Sequence, residues 1–233
     1  VRLGVTEHRV RLGSVEYRVL RVGGLHRALC YDSGHWLNLW VDRGAAAELA
    51  AAWLLAARSP RSLVHLPLRR RAERPAGAVL PERHLARDLL LLHHSLQFPA
   101  SRWKEVRGRA GRAGSPHTVE FRRDDFPSRR DRAVPGTHHA EFRDRLRLTT
   151  AADTLVLSGS ALPFADAAAD FLDLAGTGPG RDRRWRSAGG HACAELHPTS
   201  GLLDRSVPLV HVEYCPDWEP VPREGAEAGS PEG

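Results

Sequence analysis

Two short segments near the end of the chain hold the side chains best suited to chemistry. Residues 191–197 read HACAELH and residues 210–215 read VHVEYC. Side chains on a strand alternate between faces. His191, Cys193, Glu195 and His197 therefore share one face, opposite Ala192, Ala194 and Leu196. His211, Glu213 and Cys215 alternate in the same way with Val210, Val212 and Tyr214. If the segments pair as an antiparallel hairpin with both apolar faces on a core, the polar faces coincide. Imidazole, thiolate and carboxylate are the donors that zinc-class ions take, and opposed Cβ atoms in a ladder lie about 4.5–5.5 Å apart. The candidate ligands are His191, Cys193, Glu195, His211, Glu213 and Cys215. The spacing lacks the CxxC or HxxxH form of a specific metal motif. The wet face of an amphipathic hairpin carries polar residues in any case. The expectation is an inert, water-facing ladder with no cofactor.

Other constellations are weaker. His93-His94-Ser95 sets a base beside a hydroxyl, but neighbouring residues on a helix point about 100° apart. Asp32-Ser33-Gly34-His35 and His138-His139-Ala140-Glu141 fall where turns are expected. The glycines of GTGPG at 176–180 lack the Lys-Ser/Thr of a phosphate loop and are read as a helix stop. Trp36 and Trp40 share a strand face with Asn38, opposite Leu37, Leu39 and Val41; the indole face is expected to be core. Arg69, Arg70, Arg71, Arg122, Arg123, Arg129 and Arg130 form the nucleic-acid footprint, without helix-turn-helix, zinc-knuckle or RNA-motif company.

The elements that must position these groups read as follows. Residues 1–43 alternate with period two between Gly-containing turns, an antiparallel meander. Asp42 caps a helix over 45–58 rich in strong helix formers. Residues 62–68 suggest a strand that Pro67 demotes to an edge. The stripe Leu85, Leu89, Leu92 and Leu96 favours a helix over 82–97, with a buried strand near 89–94 as the rival. A short helix near 102–109 and a strand near 117–121 precede a breaker-rich stretch. Strands are then expected over 140–149 and 154–158, a helix over 164–174 stopped by GTGPG, and the hairpin. This grammar gives an α+β fold of antiparallel sheets packed with one or two helices each. It divides into a basic unit 1–126, a linker 127–137, an acidic unit 138–218 and a disordered tail 219–233.

The stretch 142–215, with paired strands, the helix ADAAADFLDLA, a Gly-plus-Arg turn leading to RRWRS at 183–187 and a closing hairpin, resembles a small uncharacterised family of actinobacterial α+β proteins. That resemblance implies a compact interaction domain and brings no catalytic residues.

The 233 residues are sufficient for a sizeable core, and their balance of apolar and charged residues excludes collagen-like, disulfide-scaffold and wholly disordered chains. The chain has no Met or Ile, one Lys and 33 Arg, the mark of a GC-rich gene; a bacterial source is what the family resemblance implies. Residues 1–150 carry 28 basic and 15 acidic groups, and residues 151–233 carry 6 and 13. The net +6 thus hides a dipolar chain. Three cysteines and the lack of an apolar leader or ~20-residue span point to a reducing cytoplasm, free thiols and no membrane. The expected function is a non-enzymatic module for a protein partner. The alternatives are electrostatic nucleic-acid binding through 69–132 and metal-assisted catalysis on the 191–215 hairpin.

Overall fold

The computed structural model describes residues 1–221 apart from 24, 70–72, 112–113, 129–136, 138, 140, 186–188 and 199–201. In chain order its elements are β1 (Arg2–Leu12), β2 (Val15–Val22), β3 (Ala28–Asp32), β4 (Trp36–Val41), α1 (Arg43–Arg58), β5 (Ser62–Leu66), β6 (Glu73–Pro75), β7 (Asp88–His93), α2 (Trp103–Arg109), β8 (Ser115–Glu120), β9 (Arg147–Ala151), β10 (Thr154–Gly159), α3 (Ala161–Trp185), β11 (Cys193–Leu196), β12 (Leu209–Tyr214) and β13 (Trp218–Pro220). Short 3₁₀ turns lie at Arg83–Leu85, His94–Leu96, Ala100–Arg102 and Arg123–Asp125.

The fold is α+β. One sheet runs β8-β1-β2-β5-β7-β10-β9, a second runs β11-β12-β4-β3, and β13 pairs with β6. Most pairings are antiparallel; β2–β5, β7–β10 and β4–β12 are parallel. The helices α1 and α3 lie between the two larger sheets. The main core takes Leu20, Val64, Leu91 and Leu157 from one sheet, Leu39, Val210 and Val212 from the other, and both helices. This explains α1: capped by Asp42, whose Oδ1 accepts the Ala45 N–H at 2.7 Å, it is buried from Leu49 to Ala57. Its alanines let neighbours approach on all sides, and Trp53 meets Phe164 and Phe171 of α3 edge-on at 5.5 and 5.2 Å.

The seven-stranded sheet has a second buried face. Tyr17, Leu63, Leu90 and Leu92 pack there under Phe98, Trp103 and Val106. The stripe expected to make a helix over 82–97 is therefore β7. Leu89 and Leu91 point to the main core while Leu90 and Leu92 point to the other, and a strand covered on both faces reads as an unbroken apolar run. β5 is central rather than an edge, because Pro67 falls just beyond its last paired residue. β9 covers only the end of the expected strand 140–149.

The expected helix stop at GTGPG is also corrected. α3 runs 25 residues, through Pro179. An interior proline removes one hydrogen bond, yet the segment is anchored by packing. The Gly178 backbone lies against Tyr214, where a Cβ would come within 2.9 Å of the ring.

The two-unit division does not match the core. β9 and β10 join β7, and β11 and β12 join β4, so residues 1–126 and 138–218 share both larger sheets and one main core. The charge contrast between them therefore divides a sequence, not two separately closed cores. Part of the expected tail is ordered as well: Trp218–Pro220 form β13 on β6. Residues 222–233 lie outside the described residues. Among the described residues no helix is long and apolar enough to cross a membrane.

Candidate functional site

The hairpin forms as its alternation requires. β11 and β12 are antiparallel, with Cys193 opposite Glu213 and Glu195 opposite His211. Local pattern did not reveal the next neighbour. β12 also pairs in parallel with β4, setting Asn38 beside His211 and Trp40 beside Glu213. β12 is thus an interior strand of the sheet; on the hairpin's polar face His211 is buried while His191 and Glu195 remain exposed. His211 is 7 % exposed. Its ring lies between His191, edge-on at 5.1 Å, and Trp36 at 6.1 Å. The Trp face expected to be core is the outward one: Leu37, Leu39 and Val41 are buried, while Trp36 is 52 % exposed.

Three donor atoms, one each from His191, Cys193 and His211, lie within 4.8 Å of one another. Zn–N near 2.0 Å and Zn–S near 2.3 Å put tetrahedral ligands roughly 3.3–3.6 Å apart. Side-chain rotations of about an ångström would close that difference. Glu195 orients the set. Its Oε1 is 3.1 Å from His211 Nδ1 and its Oε2 is 2.8 Å from His197 Nε2. A carboxylate on Nδ1 holds the proton there and leaves Nε2 as a lone-pair donor. Glu213 Oε2 stands 3.9 Å from that Nε2.

The electrostatics favour a cation. Burial, then the Glu195 and Glu213 carboxylates, push the Cys193 thiol up. Burial raises the Glu195 carboxyl, but hydrogen bonding to His211 and His197 outweighs it and holds the group below its ordinary value. The two carboxylates that disfavour a bare thiolate would stabilise a metal ion bound to it. Beside the cluster is a cleft of about 300 Å³ whose lining includes Trp40, Gly77, Asp182, His191, Glu213 and Cys215.

Of the six sequence-derived ligands, the structure brings His191, Cys193 and His211 into one set. Glu195 and Glu213 flank it. Cys215 lies along the cleft, with its N–H on the Val41 carbonyl at 2.8 Å. Cys30, Cys193 and Cys215 form no disulfide. Sequence reasoning missed Trp36 and Asn38 as neighbours and Asp182 as a cleft residue, since each arrives by a long-range pairing that no local pattern records.

The arginine footprint is dispersed. Arg70, Arg71, Arg129 and Arg130 lie outside the described residues. Arg69 pairs with Asp153 in the β9–β10 turn and donates its N–H to Asp88 at 2.9 Å. Arg122 and Arg123 follow β8, on the opposite edge strand, and Arg123 meets Asp173 at 3.4 Å. Arg58 pairs with Asp125, and both Arg102 and Arg109 reach Glu105. Much of this positive charge is locally balanced.

His93 and Ser95 do meet: Nδ1 is 2.7 Å from the Ser95 hydroxyl and accepts the Ser95 N–H at 3.2 Å. The residues leave β7 into a 3₁₀ turn, so the helical angle does not apply. The contact caps that turn, and among the described residues no third group is hydrogen-bonded to Nε2 of the imidazole. Asp32 and Ser33 serve their turn, with Asp32 Oδ1 accepting the Gly34 N–H at 2.9 Å.

Comparison with protein-family models, curated proteins and solved structures finds no match to this chain.

Proposed function

We propose that this protein binds a zinc-class ion through His191, Cys193 and His211. The single observation that carries this reading is the convergence of their three donor atoms within 4.8 Å. Two imidazoles and a thiolate suit a borderline-soft ion, and three protein ligands leave a fourth position for water or substrate. That open position, next to the cleft, favours a site where a metal polarises or activates a bound oxygen ligand over a purely structural one.

Metal analysis of the purified chain tests it. About one equivalent of zinc is expected, and cobalt substitution should give a thiolate-to-metal charge-transfer band. Cys193→Ser should abolish that band while the circular dichroism stays unchanged. Substoichiometric metal after incubation with zinc, or a band that survives Cys193→Ser, refutes the proposal.

The second reading, a protein-interaction module, is favoured by Trp36, a large aromatic side chain left 52 % exposed on the same face. A partner that copurifies with the chain and is lost on Trp36→Glu supports it; a partner-free monomer overturns it.

A further inference from the structure

We infer that the groove at the carboxyl ends of β7 and β10 binds a small phosphate-bearing molecule. The groove is distinct from the metal set: none of His191, Cys193 and His211 lines it. Its volume, about 550 Å³, falls within the range of small-molecule sites.

Its chemistry is cationic on one side and apolar on the other. Arg143 and Arg147 bring exposed guanidinium groups to it; among the described residues neither is within 4.0 Å of a carboxylate oxygen, and Arg147 acts on Asp204 only at longer range. The buried Arg145 is committed elsewhere, donating to the carbonyls of Phe142 at 3.2 Å and Leu203 at 3.4 Å. The one carboxylate in the lining, Asp144, accepts the Ser160 hydroxyl at 2.8 Å. Ser158, opposite Arg147 in the β9–β10 ladder, adds a hydroxyl, and His94 and Gln97 add ring and amide donors.

Gln97 has φ +48°, a left-handed conformation that costs a non-glycine residue roughly 1–2 kcal/mol. The strain sits at the groove's rim, where residues held in sparsely populated conformations tend to serve a ligand. Leu92 and Phe98 supply the apolar wall. Planar guanidinium forks match phosphate oxygens two at a time, so two of them with the Ser158 hydroxyl select a phosphate. The wall favours a ligand with an aromatic or alkyl part.

Calorimetric titration of the full chain with phenyl phosphate and with inorganic phosphate tests this. One phenyl phosphate per chain is expected, bound more tightly than inorganic phosphate. Arg143→Ala with Arg147→Ala should weaken it at least tenfold without moving the ligand-free melting temperature. Arg102→Ala with Arg109→Ala removes equal charge elsewhere and should change affinity less than twofold. Absence of saturable binding at millimolar phenyl phosphate overturns the inference, as does equal weakening by the control pair. Tight binding of single-stranded oligonucleotides without binding of phenyl phosphate also overturns it.

Discussion

Zinc should raise the melting temperature of this chain, and the increment should depend on Cys193 and His211. The three donors converge only because β11 and β12 are paired; the unfolded chain does not hold them together. A ligand that binds only the folded state stabilises it by RT ln(1 + [L]/Kd), about 2.7 kcal/mol at a hundredfold excess of free zinc over Kd. In a chain of this size each kcal/mol moves the midpoint by roughly 2–4 °C, so an increment of about 5–11 °C is expected. The assay is thermal unfolding in zinc buffered by a weak chelator. His211→Ala also removes a buried ring and should lower the zinc-free midpoint, so the quantity to compare is the increment within each variant. It should vanish in His211→Ala and in Cys193→Ser. In Glu195→Gln the carboxylate that holds His211 Nδ1 is lost; an outer-shell change of this kind weakens metal affinity roughly 10–100-fold, which should halve the increment or more. His84→Ala, a remote exposed histidine, should leave it unchanged. An equal increment in wild type and Cys193→Ser would refute the site, as would none in wild type at any buffered zinc concentration.

Four further outcomes follow from the packing. Gly178→Ala should lower the melting temperature by roughly 2–4 °C, because overpacking against Tyr214 (about 1–3 kcal/mol) outweighs a helix-propensity gain of up to about 1 kcal/mol. Gly176→Ala, where an added Cβ meets nothing within 4 Å, should raise it by a similar amount; thermal melts of the two variants check both signs. Burial holds the His65 imidazole below its ordinary 6.5, and its Nε2 is 3.7 Å from Asp88 Oδ2, outside hydrogen-bond reach. The unfolded chain therefore takes up a proton before the folded one does, and His65 should draw stability down as pH falls below about 6.5. His65→Phe should flatten urea-derived stability between pH 7 and 5. Asp42→Ala removes the α1 cap and should cost about 0.5–2 kcal/mol in the same urea assay.

The parts of this fold that were legible in the sequence are those whose environment has one wet and one dry side. The hairpin strands alternate polar with apolar residues, and β11 and β12 pair as that alternation demands. α1 declares itself by its cap. Leu89 to Leu92 were not legible as a strand because β7 is covered on both faces, so period two disappears and the leucines fit a helical stripe equally well. GTGPG failed as a stop for a related reason: glycine and proline disfavour a helix locally, but Gly178 is where α3 comes closest to Tyr214, and packing overrides propensity. Three of the six nominated ligands converge. The burial of His211 went unseen because it depends on β4, a strand about 170 residues earlier in the chain.

The outer face of the four-stranded sheet shows both ways of finishing such a surface. Over β3 and the inner end of β4, Leu29, Tyr31 and Trp40 are closed off by Leu80, Leu85, Ala86 and Trp218, an ordinary apolar seal. Over β11 and β12 the same sheet instead holds His191, Cys193, Glu195, His211 and Glu213. Burying an imidazole on an interior strand carries a desolvation penalty, and even a well-made hydrogen bond to Glu195 returns only part of it. An apolar residue at 211 would seal the face as its neighbours do across the sheet, and groups of this kind can be replaced by well-packed apolar residues without loss of stability. Stability alone thus gives no reason for two imidazoles and a thiol to converge between two carboxylates. The proposed coordination of a cation would supply one, because it would turn the repulsion between a thiolate and those carboxylates into attraction toward one centre.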